Sequence, residues 1–250
     1  MNQAAQNLKA VAEAVARALV DTSVKGGSAF ISTPLLYPSG SHIVVRMDGA
    51  GDRWFVSDDG YGHLEADMMG GLPTFRRLAG ALAGRVGVQF DERCFFVLEV
   101  ERDALPGAVI TISNISKQAV ERTAFALEDR RIAISRDVFE QRLVAAFGAG
   151  SIAHNVSIVG ATGKEWDVDI GITSDTQVKR LFEFVTPRAT SIAAAVMKFT
   201  DIRAVENAPK TAAVLSDRSR TEAPLVSLLS RVAGAAIDAA EPPEVYRRAA

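Results

Sequence analysis

Cysteine is almost missing: Cys94 is the only one in 250 residues. One thiol cannot close an intrachain disulfide, and a cysteine-rich zinc site is excluded. A chain without disulfides suits a reducing compartment, so a cytoplasmic location is expected. Histidine is scarce too. His42, His63 and His154 fall on separate segments with no metal-ligand spacing, which argues against zinc. No apolar run approaches the ~18 residues that a membrane span needs. The opening MNQAAQNLKAVAEAVARALV is interrupted by Lys9, Glu13 and Arg17, unlike a signal peptide. No membrane partner is therefore expected. Charge of one sign is also lacking. Formal net charge is −2, with −3 on the first 130 residues and +1 on the rest, so neither part carries the broad positive field of a phosphate-backbone binder. A Gly-x-Ser-x-Gly nucleophile elbow is absent. The stretch GATGK at 160–164 falls short of a phosphate loop, because two residues rather than four separate its glycines. There is no internal repeat and no low-complexity tract.

What remains is an ordinary globular composition, 48% hydrophobic and 23% charged, long enough for one large domain or two modest ones. Leu8, Val11, Ala12, Val15 and Leu19 recur at helical spacing and predict an amphipathic helix over 5–20. Three strand-like pieces follow, AFISTPLLY, HIVVRMDG and RWFVSDDG, divided by Pro-Ser-Gly and Gly-Ala-Gly-Asp turn signals; they predict an antiparallel meander. Two helices, GHLEADMMG and PTFRRLAGALAGR, lead to a strand, RCFFVLEVE. ALPGAVITISNIS reads equally as strand or helix, and SKQAVERTAFALEDR as helix. A new pattern starts near residue 130. It runs through a helix over 137–147, a hairpin of NVSIVG and KEWDVDIGIT, a strand VKRLFEFVT, a helix over 191–205, a strand KTAAVLSDR and a last helix APLVSLLSRVAGAAI. The expected class is α/β (more narrowly α+β). Its domains are 1–130, an antiparallel meander with helices, and 131–240, an αβββαβ core, with a frayed tail at 241–250.

Carboxylates stand out in the second part. On KEWDVDIGIT, strand alternation puts Asp167 and Asp169 on one face, with Trp166, Val168 and Ile170 on the other. Glu183 interrupts LFEFV, an otherwise apolar run, so its carboxylate must be paired, metal-bound or at an edge. In the first part, Ser57-Asp58-Asp59-Gly60 closes a strand and opens a helix. Asp58 or Asp59 is expected to accept backbone N–H groups there, with Gly60 in a conformation other residues avoid. Asp48 and Asp52 read as turn formers, and Cys94, before Phe95 and Phe96, as a buried inert thiol.

The order of elements over 131–240, with its carboxylates, resembles the PD-(D/E)XK restriction-endonuclease-like core. That resemblance implies Mg²⁺ held by Asp169 (in second place Asp167) and Glu183, with Glu140 on the preceding helix as helper. It also implies a lysine two residues after Glu183, where this chain has Val185. Some relatives carry that lysine on a neighbouring element, which points to Lys198 on the following helix; Lys164 and Lys179 sit near turns. Residues Thr33-Pro34, Ser57-Asp58-Asp59-Gly60 and the Gly70-Gly71 helix end resemble a bacterial domain of unknown function (family number 1828), found in bacterial and phage genomes. No catalytic residue transfers from it.

Two functional expectations follow. The missing lysine and the absent basic field favour a nuclease-like fold without nuclease chemistry and without a resident cofactor. It would bind a protein partner or DNA in host–mobile-element conflict, alone or as a homodimer. The alternative is a Mg²⁺-dependent DNA endonuclease with Asp169 and Glu183 as metal ligands, Glu140 as helper and Lys198 as the displaced cation.

Overall fold

The computed structural model describes residues 3–174 and 177–249. The chain is α+β and divides into two units, Met1–Glu128 and Asp129–Ala250.

In the first unit, helix α1 (Gln3–Ala18) leads to strand β1 (Asp21–Lys25), which no sequence signal announced. β2 (Ser28–Leu36), β3 (His42–Ala50) and β4 (Arg53–Ser57) form the expected meander. Helices α2 (Tyr61–Met68) and α3 (Leu72–Val86) then lead to β5 (Gln89–Phe90) and β6 (Phe95–Glu101). All neighbours in the order β1-β2-β3-β4-β6-β5 pair antiparallel. Ile43, Val45, Val56, Phe75 and Phe95 are fully buried and make the core with Ile112, Ala119 and Val120 of the helix that follows.

That helix, α4 (Leu105–Phe147), corrects the sequence reading, which left 104–116 open and placed a break near residue 130. The β-branched run Val109–Ile112 favours a strand by local propensity. The buried positions Ile112, Ser116, Ala119, Val120 and Thr123 instead recur every three to four residues, the helical period, and packing overrides propensity. Its buried hydroxyls are satisfied on the spot: Ser113 Oγ donates to Val109 O and Thr123 Oγ1 to Ala119 O, both at 2.7 Å. Asp129-Arg130-Arg131, taken as a change of pattern, holds no glycine or proline to stop a helix.

In the second unit, β7 (Ile152–Val159), β8 (Glu165–Ser174) and β9 (Gln177–Val185) precede α5 (Ala189–Arg203), β10 (Lys210–Leu215), α6 (Ala223–Ala233), β11 (Ala236–Asp238) and α7 (Pro243–Ala249). The sheet order is β11-β10-β9-β8-β7, parallel among β11, β10 and β9 and antiparallel from β9 to β7. Phe139 and Leu143 of α4 and Tyr246 of α7 pack with Ile170, Phe182 and Phe184. α5 and α6 pack with Val185, Ala213 and Leu215 in a second core group.

Two expectations are corrected here. The last long helix stops at Ala233 because Gly234 takes φ 84° and lies where a Cβ would sit 3.3 Å from Thr211 O; residues 236–238 form a strand instead. The tail is not frayed through 249. Tyr246 is fully buried and its hydroxyl donates to Ala239 O at 2.9 Å, which anchors α7. Ala250 lies outside the described residues.

Candidate active site

β8 and β9 pair only from Ser174↔Gln177 to Ile170↔Phe182. Beyond that pair the ladder stops, although β8 reaches back to Glu165 and β9 runs on to Val185. β9 keeps its other edge on β10, with Glu183 opposite Ala213. The two strands therefore fork at Asp169 and Glu183, and side chains take over the backbone donors at the fork. Asp169 N–H donates to Glu183 Oε2 at 3.2 Å, and Phe184 N–H donates to Asp169 Oδ2 at 2.8 Å.

The fork coincides with a change of side in the neighbouring hairpin. Asn155, with φ 51°, sits between the pairs His154↔Ile170 and Val156↔Val168, opposite Asp169. Ile152 and Ile170 belong to the core group of Phe139, whereas Val156, Trp166 and Val168 pack with Leu181 and Ile202. Simple alternation put Trp166, Val168 and Ile170 on one face; the irregular backbone at Asn155 and Asp169 separates Ile170 from the other two.

Two cations close the fork. Lys198 Nζ, from α5, donates to Glu183 Oε1 at 2.5 Å and also to the Asp167 carbonyl oxygen. Arg136, from α4, donates to Asp169 Oδ1 at 3.0 Å, and its guanidinium lies 4.7 Å from the Phe184 ring centroid. Lys198 and Glu183 are 12% and 15% exposed, whereas Arg136 is 43% exposed and reaches solvent. Burial pushes the Glu183 carboxyl above its ordinary range, the Lys198 hydrogen bond draws it back, and the nearby Asp169 charge raises it again.

Asp169, Glu183 and Lys198, all singled out from sequence, are thus brought together. Glu140 makes no hydrogen bond or ion pair with this cluster among the described residues; Arg136, one turn earlier on the same helix face, reaches it instead. Asp167 contributes its carbonyl oxygen rather than its carboxylate. Lys164 lies over the Trp166 ring and Lys179 donates to Gln177 Oε1, so each is engaged elsewhere. Arg136 was missed because a helix break was placed just before it. Asp201 was missed because an exposed helical aspartate gives no signal. It accepts from Trp166 Nε1 at 2.7 Å and from the Thr162 N–H and hydroxyl at 2.9 Å, pinning the β7–β8 turn to α5. The Trp166 bond in particular holds its carboxyl below the ordinary range.

A divalent cation fits the donor set. Asp169 and Glu183 offer hard oxygen donors on adjoining strands, and each oxygen keeps a lone pair beyond the N–H bond it accepts. Mg²⁺ is commonly held by one or two carboxylates with water completing its shell. Among the described residues no group of three or more His, Cys, Asp or Glu side chains converges.

The first unit holds a different kind of carboxylate. Asp58 is fully buried; its Oδ1 accepts from Phe95 N–H at 2.9 Å and Gly60 N–H at 3.3 Å, and its Oδ2 from Ser116 Oγ at 2.7 Å. Ser116 Oγ also shares a 2.7 Å bond with the Tyr37 hydroxyl. The expected role at the helix start is present, but the same carboxylate ties α2, β6 and α4 together. Gly62 is required beside it, because a Cβ there would lie 2.5 Å from Ser116 Oγ. Asp48 is no turn former: it lies within β3, accepts from Ser28 Oγ at 2.5 Å and pairs with Arg46 at 2.9 Å. Burial pushes the Cys94 thiol up to about 11, which keeps it protonated and unreactive at neutral pH.

No helix among the described residues is long and apolar enough to cross a membrane. No family model matches the chain, and neither a curated protein nor a solved structure matches it.

Proposed function

We propose that the forked strands of the second unit form a site for metal-dependent cleavage of DNA phosphodiesters. Asp169 and Glu183 would hold the cation and Lys198 would serve as the catalytic ammonium. One observation carries this reading: Lys198 reaches Glu183 from α5 and supplies the positive group that β9 lacks at Val185. The sequence-based case against catalysis rested on that absence together with the lack of a broad basic field, and Lys198 answers the first of the two.

Asp169 and Glu183 would hold the divalent cation, which would supply charge neutralisation at the phosphate and a more acidic water. The chain supplies position and field. Lys198, held by Glu183 and the Asp167 carbonyl, stands where it can stabilise negative charge developing on the phosphate oxygens. Arg136 is exposed enough to receive a non-bridging phosphate oxygen while its ring contact with Phe184 fixes its plane. Hydrolysis breaks one P–O bond, adds hydroxide to phosphorus and returns a proton to the leaving sugar oxygen.

A second reading, binding without catalysis in host–mobile-element conflict, is favoured by a different observation. All four oxygens of Asp169 and Glu183 already accept an N–H bond, and two cations balance their charge. Supercoiled plasmid incubated with the protein and Mg²⁺ or Mn²⁺ separates the two. The proposal expects nicking by the wild type and at least about a hundred-fold loss in Glu183→Ala. Intact plasmid with wild-type protein, accompanied by a gel shift, supports the binding reading and overturns the proposal.

A further inference from the structure

We infer that the chain forms a homodimer by exchanging helix α1, whose apolar stripe seats in an apolar groove on the first unit of a second copy. The stripe is Leu8, Val11, Val15 and Leu19, spaced by three and four residues and 72%, 54%, 54% and 52% exposed. Every side chain from Gln6 to Val20 is exposed, so no described residue of the same chain covers the stripe. A helix of 16 residues with no tertiary partner is marginal in water, and an amphipathic one gains its stability from the surface its apolar face covers.

The receptor lies on the same unit. Ile31, Leu35 and Met47 of the sheet and Leu105, Val109 and Ile110 of α4 wall a groove of about 750 Å³, with Val20 at its edge. Ile110 is 60% exposed within it. The lengths agree. The stripe from Leu8 to Leu19 is about 16 Å long, and the α4 wall from Leu105 to Asn114 about 14 Å, at the helical rise of ~1.5 Å per residue.

The occupant is a second copy because the chain's own α1 leaves the groove open: of the lining only Val20 adjoins that helix, and only Leu19 and Val20 separate α1 from β1. A short hinge of this kind favours exchange between copies. Two helices, each seated along about 14 Å of groove and ~10 Å across, remove roughly 600 Å² in all, the size of a weak association that depends on concentration.

Light scattering on the full-length chain, at tens of micromolar, tests this. The wild type should show the mass of two chains. The double substitution Val11→Glu, Val15→Glu on the helix and Ile110→Glu in the groove should each give one chain, with the cooperative thermal unfolding of the wild type retained. These positions are exposed, so neither change disturbs the core. A monomeric wild type overturns the inference. So does a dimer that survives both variants, since its interface would then lie elsewhere.

Discussion

Replacing Lys198 with methionine is expected to reduce metal-dependent DNA cleavage at least about a hundred-fold, the scale of losing one preorganised charge-stabilising donor. Methionine keeps the buried stem and removes the ammonium, so packing on α5 is conserved. Glu183 loses its counter-ion and its carboxyl moves further above the ordinary range, because burial is already the leading influence on it. Breaking a buried pair from one side costs about 3–5 kcal/mol. The variant therefore loses stability as well as activity, and either loss alone would be ambiguous. The double variant Glu183→Gln, Lys198→Met resolves this: a neutral amide needs no counter-ion. It should recover most of the stability in urea titration while plasmid cleavage stays at background. Recovery of cleavage with stability would show that Lys198 only holds the fork together.

Asp58→Ala is expected to be the most destabilising single change in the first unit. It strands the Phe95 and Gly60 N–H groups and leaves Ser116 Oγ to Tyr37 alone, at a site without solvent. At about 1–3 kcal/mol per orphaned buried donor, the total is on the order of 4 kcal/mol, a large share of the ~5–15 kcal/mol that holds a domain folded. Amide hydrogen exchange of the best-protected core amides in β3 and β4 should quicken by about a thousand-fold, the equivalent of that loss. Asp58→Asn is milder and reads out the charge. Burial raises the Asp58 pKa in the fold, against the pull of its Ser116 and backbone hydrogen bonds. The stability this group contributes is therefore complete below the ordinary value of 3.8 and is lost as pH rises through the higher folded value. Wild-type stability minus that of Asp58→Asn, measured by urea titration across acid to neutral pH, should fall over that window. A flat difference would mean that the hydrogen-bond donors fully compensate burial.

The parts of the fold legible in the sequence are those where a local pattern and the packing agree. The meander of β2, β3 and β4 is announced by its turns, and β7 and β8 by the hairpin signature at Ala161–Gly163. Helix α4 was divided because its β-branched start and its charged middle each imitate a boundary, and only the spacing of buried positions shows it to be continuous. The tail was read as frayed because two prolines precede it, while Tyr246 finds its partners, Phe139 and Phe182, on distant elements. In the candidate site, Glu183 was legible as a charge in an apolar run. Lys198 was legible only as one of several lysines until α5 placed it on Glu183. Arg136 and the fork itself were not legible, since the ladder ends at Asp169 opposite a left-handed Asn155 on another strand, a coincidence of register that no local pattern announces.

The central claim is that the fork at Asp169 and Glu183 takes a divalent cation. Titrating the protein with Mn²⁺ and following free Mn²⁺ by electron paramagnetic resonance tests it without any substrate. The account predicts one site per chain in the wild type, displaced by Mg²⁺, and its loss in the double variant Asp169→Asn, Glu183→Gln. An undiminished Mn²⁺ signal with the wild type, or equal uptake by that double variant, would contradict it.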